Sequence, residues 1–308
     1  MKQIISVSRR TDIPALYGDW FFRRVKEGYA GYINPYGGQN HFVSLKPHDV
    51  LCFVFWSKDF IPFTKRLKEL ENSGYSFYFN YTITGLPEVF EPNLPNTEEA
   101  INCLKTLSKS YSPQHINWRY DPIILSTETD YQYHLSRFRS MACSLKGYVK
   151  RCIISFVHLY SKIRDRLRYL QVKTKIRIID TPLELKQRLA NELAIIAQEN
   201  GIELFSCCGD YLVNDSIRKA HCIDGILIGK LFNPAGLSLK IKPTRSECGC
   251  TESRDIGEYN TCTHGCVYCY AYTEIKKAIK AFKNHDPESP FLGPGKRPVY
   301  GKNYPLTV

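Results

Sequence analysis

The chain has 308 residues, 43% of them apolar, enough to bury a sizeable core in one large barrel or two ordinary domains. It carries 42 Lys and Arg against 30 Asp and Glu, a formal charge of +12 with a pI near 9.1, and this balance favours polyanionic partners. Its 12 cysteines do not read as a secreted disulfide framework: the first ten residues lack an apolar signal core and no apolar run reaches membrane-span length, so the expected compartment is the reducing cytoplasm, with no membrane partner.

In chain order, Ile4–Ser8 reads as a short buried strand followed by the polar run Arg9-Arg10-Thr11-Asp12. Tyr17–Tyr29 has Trp20, Phe21 and Val25 at helical spacing, and Asn34-Pro-Tyr-Gly-Gly38 is a turn. Val50–Trp56 is a second strand with Ser57, Lys58 and Asp59 at its tip, and a helix is expected over Phe60–Ser73. Ser76–Thr84 is a third strand, which offers Asn80, Thr82 and Thr84 at alternate positions. After a loop from Pro87 to Pro95, Asn96 with the acidic first turn Glu98-Glu99 opens a helix through Leu107. His115–Tyr120 is a fourth strand, followed by Asp121 and Pro122, and a helix is expected around Tyr131–Ser144. Arg151–His158 is a fifth strand. Thr181 and Glu184 have capping-box spacing, with Pro182 in the first turn, Gly201 past the end, and Leu185, Leu189, Leu193 and Ile196 on the buried face. Ile202–Cys207 is a sixth strand and Ile226–Ile228 a weak seventh. A helix from Tyr272 to Lys283 precedes a tail, 285–308, rich in Pro and Gly and expected to wrap the surface.

Strands alternating with helices argue for a parallel α/β sheet. Polar residues follow successive strands, which fits a complete or partial β/α (TIM-like) barrel over residues 1–284, with a cysteine-rich region at 205–270. A two-domain α/β protein with a C-terminal metal module is the alternative.

The densest chemistry lies in Tyr259-Asn-Thr-Cys262-Thr-His-Gly-Cys266-Val-Tyr268-Cys269-Tyr-Ala. Three thiols at C-x3-C-x2-C spacing can turn toward one centre. A cubane iron–sulfur cluster has four irons, so three local cysteines leave one iron open to a small molecule. A structural zinc site is the alternative, although zinc more often uses paired C-x2-C units and four ligands. His264, inside the loop, is expected beside the centre or at the surface rather than as a ligand.

The pattern C-x3-C-x-aromatic-C, filled by Cys262, Cys266, Tyr268 and Cys269, resembles the signature of radical S-adenosylmethionine (radical SAM) enzymes. The ending Tyr-Cys-Tyr-Ala is similar to that of the spore photoproduct lyase and DNA-repair-photolyase-like branches. Cys248-Gly-Cys250, then Asp255-Ile-Gly, then the loop, together resemble an uncharacterised family, domain of unknown function 1848. The resemblance implies a barrel, a [4Fe-4S] cluster on Cys262, Cys266 and Cys269, S-adenosylmethionine on the open iron, and Tyr268 beside its adenine. It also implies an electron donor such as flavodoxin or ferredoxin, and reductive cleavage to a 5′-deoxyadenosyl radical. In that superfamily the loop usually follows the first barrel strand. Here it comes last, and a permuted barrel accounts for the difference.

Cys207, Cys208, Cys222, Cys248 and Cys250 form a second group at strand ends and loops. Their number fits a fully ligated auxiliary iron–sulfur cluster or a four-cysteine zinc site, the bland alternative being buried small side chains. Cys52, Cys103, Cys143 and Cys152 lie in apolar patterns and are expected to pack. Arg9, Arg10, Asp12, Lys58, Arg119, Asp121 and His158 are the polar candidates at the barrel mouth. Of these, Arg9, Lys58, Arg119 and His158 are assigned with Tyr268 to cofactor binding, an arginine fork being suited to a carboxylate. With 21 Tyr, 16 Phe and a basic surface, nucleic acid is the favoured substrate class, while a peptide or metabolite stays open. Two other functions compete with a radical enzyme: a zinc-stabilised nucleic-acid-binding protein and a non-catalytic iron–sulfur electron-transfer or redox protein.

Overall fold

In a computed structural model that describes residues 2–35, 37–235 and 240–293, the strand-like segments lie side by side in one parallel sheet. The chain begins with β1 (Gln3–Val7), two helices, α1 (Ile13–Leu16) and α2 (Gly18–Glu27), and an antiparallel hairpin of β2 (Tyr29–Ile33) and β3 (Asn40–Ser44). Next come β4 (Val50–Ser57), the short α3 (Ile61–Thr64) and α4 (Leu67–Asn72), β5 (Phe77–Thr82), α5 (Thr97–Ser110), β6 (Ile116–Ile123), α6 (Tyr131–Leu145) and β7 (Arg151–Phe156). The last part holds α7 (Ser161–Thr174), α8 (Leu183–Glu199), β8 (Glu203–Ser206), β9 (Ile217–Lys219), α9 (Gly225–Phe232), β10 (Arg254–Asp255) and α10 (Ile275–Lys283).

The sheet order is β10-β1-β4-β5-β6-β7-β8-β9, and every neighbouring pair is parallel. From β1 to β9 it follows the chain, with the hairpin left outside. β10 then adds to the free edge of β1, at Ile5↔Arg254 and Ser6↔Asp255. Among the described residues the end strands β9 and β10 are not paired with each other, so the fold is a parallel α/β sheet without a closed ring of strands.

Both faces are covered, which is why β4 reads as a continuous apolar run. On one face Ile5, Phe53, Phe55, Phe79, Trp118 and Ile154 pack against Phe21 of α2, Leu104 of α5, Phe138 of α6 and Leu193 of α8. Fully burying each such side chain contributes about 1.5–3 kcal/mol. On the other face Ile4, Cys52, Val54, Tyr78, Ile153 and Phe205 pack against Leu227 and Ile228 of α9. The turn before α9 is pinned from inside the sheet. Tyr78 Oη and Asn80 Nδ2 donate to the Cys222 carbonyl at 2.8 and 3.1 Å, and Asp224 N donates to Tyr78 Oη at 3.0 Å. Arg151 of β7 pairs with Asp224 at 2.7 Å.

Several sequence expectations need correction. Ile226–Ile228 lies in α9, not in a strand: the Asp224 side chain caps Leu227 N at 3.0 Å and starts a helix that three apolar residues could not reveal. The helix expected over Phe60–Ser73 is two short ones, broken at Lys65-Arg66. Thr181 does not form a capping box; its hydroxyl donates back to the Ile179 carbonyl at 3.1 Å, and α8 starts without a side-chain cap. Asn96 and Glu99, by contrast, do form a reciprocal capping box on α5. The strands β2, β3, β9 and β10 carry no pattern that marks them in the sequence, and α7 is missing from the sequence reading although Ile163, Leu167 and Leu170 stand at helical spacing. Tyr29 belongs to β2, because Gly28 at φ +81 ends α2 one residue earlier. The tail is partly inside: Trp20 Nε1 donates to the Ser289 carbonyl, Gly31 N to the Pro290 carbonyl, and Phe291 and Leu292 are buried. Residues 294–308 lie outside the described residues.

Candidate active site and cysteine centres

Because the strands are parallel, the residues that follow them gather at one end of the sheet, where α/β enzymes place their sites. There a cavity of about 810 Å³ opens, lined by the segments after β1, β4, β6, β7, β8 and β10. Arg9, Lys58, Arg119, His158 and Tyr268 all line it, and so do Cys207, Cys208, Cys222, Cys248, Cys250, Cys262, Cys266 and Cys269.

The C-x3-C-x2-C loop hangs from β10 and is held by buried polar anchors. Asp12 caps α1 and accepts from Ser57 Oγ at 2.6 Å and Lys58 N at 2.8 Å, and it bonds His264 Nε2 at 2.9 Å. His264 also reaches the Asn93 carbonyl at 3.2 Å, so this buried histidine ties the loop to β1, β4 and the segment after β5. Tyr17 Oη donates to the Thr261 carbonyl at 2.8 Å, and Tyr272 Oη to the Cys266 carbonyl at 3.0 Å. On the far side Arg166 of α7 bonds the Cys269 carbonyl and lies 4.0 Å over the Tyr272 ring. Burial holds all three loop thiols above the ordinary cysteine range, so any metal there must displace their protons.

Beneath the loop, Lys58 Nζ stands 2.8 Å from Glu91, 5.6 Å over the Tyr268 ring. Glu91 also accepts from Thr84 Oγ1 at 2.8 Å and from Tyr268 Oη. Burial alone would lower the Lys58 ammonium, but Glu91 and then Cys266 hold it above the usual lysine range. Arg9 is fixed by Asp255, whose Oδ2 takes Arg9 N at 2.9 Å and stands 3.4 Å from Nε. Asp255 further accepts from Ser6 Oγ, Ser8 Oγ and Gly257 N. His158 is exposed at the rim, stacked on Tyr160.

The second cysteine group gathers on the sheet face that packs against α9. Cys207 Sγ is 3.3 Å from Cys222 Sγ and 4.0 Å from Cys208 Sγ. Ile223 N donates to Cys250 Sγ at 3.4 Å and Thr244 Oγ1 to Cys248 Sγ at 3.6 Å. Arg119 belongs here: it donates to Cys222 Sγ at 2.8 Å, pairs with Asp121 and covers Trp56 at 5.0 Å. Among the described residues no three His, Cys, Asp or Glu side chains stand at the spacing of a single ion. Cys52, Cys103 and Cys152 are buried in apolar clusters as expected, whereas Cys143 is exposed.

Sequence reasoning missed Glu91, Arg166 and Arg245. Glu91 lies in a Pro-bounded loop and carries no local signal, whereas Arg166 lies on α7, whose stripe Ile163, Leu167 and Leu170 marks a helix. Asp255 is visible only as part of a motif.

A family model described as Domain of unknown function (DUF1848) matches residues 4–271. No curated protein matches. Among solved structures, pyruvate carboxylase from Rhizobium etli, crystallised without acetyl coenzyme A, is similar at 10% identity with a TM-score of 0.24. That match covers 77% of this chain and 26% of the other, so the chain spans about a quarter of that protein's length.

Proposed function

The chain belongs to the DUF1848 family, and within it we propose a radical SAM enzyme. The observation that carries this proposal is the position of the C-x3-C-x-aromatic-C loop: it follows β10 at the strand C-terminal ends, and all three of its thiols border one cavity. The strand order supports a permuted partial barrel. β10 stands beside β1 at the head of eight parallel strands, the loop follows it, and α10 comes next.

The donor set fits a cluster with one open iron, since three soft thiols come from a single loop that supplies no fourth cysteine. Bound there, a [4Fe-4S] cluster would supply the electron that cleaves S-adenosylmethionine and starts radical chemistry. The protein's own part is to bind, orient and exclude water. Tyr268 offers an aromatic edge, fixed through its hydroxyl to Glu91, against which an adenine can rest. Arg9, Lys58 and His158 are the side chains we assign to the amino acid and ribose groups. Arg119, committed to Cys222 and Asp121, is assigned to the second cysteine group instead.

Nucleic acid is the favoured substrate class. The helix α7 beside the loop exposes Arg168, Tyr169 and Lys173, a mix of cation and ring suited to phosphates and bases. Its binding should weaken steeply with salt. A low-potential donor such as flavodoxin or ferredoxin and the reducing cytoplasm suit this chemistry. No described helix is long and apolar enough to cross a membrane.

The test is spectroscopic. After anaerobic reconstitution, the reduced protein should give an electron paramagnetic resonance signal that shifts when S-adenosylmethionine is added. Replacing Cys262, Cys266 or Cys269 by Ala should remove the shifting signal. A loaded cluster whose signal ignores S-adenosylmethionine points to electron transfer, and zinc without iron points to a binding protein.

A further inference from the structure

The cofactor loop accounts for three of the eight cysteines on the cavity. The other five converge from three separate places: the end of β8, the turn before α9, and the Cys248-Gly249-Cys250 segment ahead of β10. We propose that they form a second metal centre, ligated entirely by four of these cysteines and separate from the cofactor loop.

Three independent features point there. The first is spacing. Sulfurs around one tetrahedral zinc ion stand about 3.8 Å apart, given a Zn–S length of about 2.3 Å. The sulfur–sulfur edges, 3.3 Å for Cys207 to Cys222 and 4.0 Å for Cys207 to Cys208, bracket that value. The five do not surround a single point, so the set can close on one ion or widen around an iron–sulfur cluster.

The second is charge. These sulfurs are acceptors: Arg119 donates to Cys222 at 2.8 Å, and Arg245 approaches Cys207 at 3.9 Å. Four thiolates around a divalent ion, or around a cluster core of charge +2, keep a net charge near −2, which guanidinium groups at the edge of a buried site offset. Arg119 shares its charge with Asp121, and Arg245 adds a second guanidinium beside Cys207.

The third is backbone geometry. Cys207 and Cys208 follow the end of β8 and both border the cavity, with Cys208 in the left-handed conformation at φ +51. Glu247, just before Cys248, does the same at φ +60. Gly249 lies so close to His221 that a Cβ would stand 2.6 Å from its ring. Two non-glycine residues in this uncommon region therefore form or flank the cysteine group.

The centre differs in kind from the one on the loop. With four protein ligands it has no open coordination position, so its role is structural or electron-relaying rather than S-adenosylmethionine binding.

The proposal stands apart from the radical SAM reading and is tested by metal content, not by activity. In the triple variant Cys262→Ala, Cys266→Ala, Cys269→Ala, purified anaerobically, we expect metal to remain. About four iron and four sulfide per chain identify a cluster, and about one zinc identifies a closed zinc site; both uphold the proposal. Adding Cys222→Ala and Cys250→Ala should remove that metal. Should the triple variant fail to fold, Cys222→Ser with Cys250→Ser in the otherwise natural chain should abolish either half of the iron or all of the zinc. A folded triple variant without metal, or metal content indifferent to Cys222 and Cys250, overturns the proposal.

Discussion

Lys58 shows how a single side chain is legible by position but not by partner. Its place after an apolar strand marks it as a mouth residue, yet Glu91, its counter-ion, comes from a loop without pattern. Lys58→Met leaves the Glu91 carboxylate buried with only hydroxyl donors, Thr84 and Tyr268. We expect a loss of about 3 kcal/mol in urea unfolding, largely recovered in the double variant with Glu91→Gln. His134 sets a pH dependence. It is buried, its Nδ1 meets Tyr120 Oη at 2.7 Å and its Nε2 meets the Ile124 carbonyl at 2.8 Å. Burial lowers it from 6.5 to about 4, against weaker raising by the Ile124 carbonyl and Asp130. Between those values the unfolded chain binds the proton and the folded chain does not, so this contribution is full above pH 6.5 and is lost as pH falls toward 4. The His134-dependent loss should be roughly 2 kcal/mol between pH 7 and pH 5, and a His134→Asn variant should show a flatter slope over that interval.

At the scale of elements, most long patterns are legible in the sequence and short ones are not, the 14-residue α7 being the exception. Six strands and the helices α5, α6 and α8 carry enough apolar periodicity, and the α5 capping box is visible as Asn96 and Glu99. The two-residue β10 has no such signal, because its pairing depends on β1 and on Asp255 gripping Ser6, Ser8 and Arg9. α9 reads as a strand because three apolar residues fit either periodicity, and its start is fixed by one side-chain cap. The junction of β1 and β10 yields a prediction. A Cβ at Gly257 would overlap the Ser8 hydroxyl, which bonds Asp255 at 2.6 Å. Gly257→Ala should therefore cost about 1–3 kcal/mol through forced displacement, visible as a lower thermal midpoint, and loosen the cofactor loop. An unchanged midpoint would mean that Ser8 is free to leave Asp255.

For the whole molecule, the alternation of strands and helices, the set of cysteines and their gathering at strand ends are legible in the sequence, but not the contacts that fix them. That Cys207, Cys222 and Cys250, far apart in the chain, border one cavity with Cys262, Cys266 and Cys269 follows from parallel strands ending together. Of the complete or partial barrel expected, closure by pairing is not seen among the described residues, where α9 and the Cys248–Cys250 segment pack on the sheet face of Ile4, Val54 and Tyr78. The central claim is that the loop after β10 supports reductive cleavage of S-adenosylmethionine. The direct measurement is product formation by the anaerobically reconstituted, dithionite-reduced protein. We expect 5′-deoxyadenosine and methionine in equal amounts, formed slowly without substrate and absent when Cys262, Cys266 or Cys269 is replaced by Ala. A fully loaded, reduced cluster that leaves S-adenosylmethionine intact would contradict the claim.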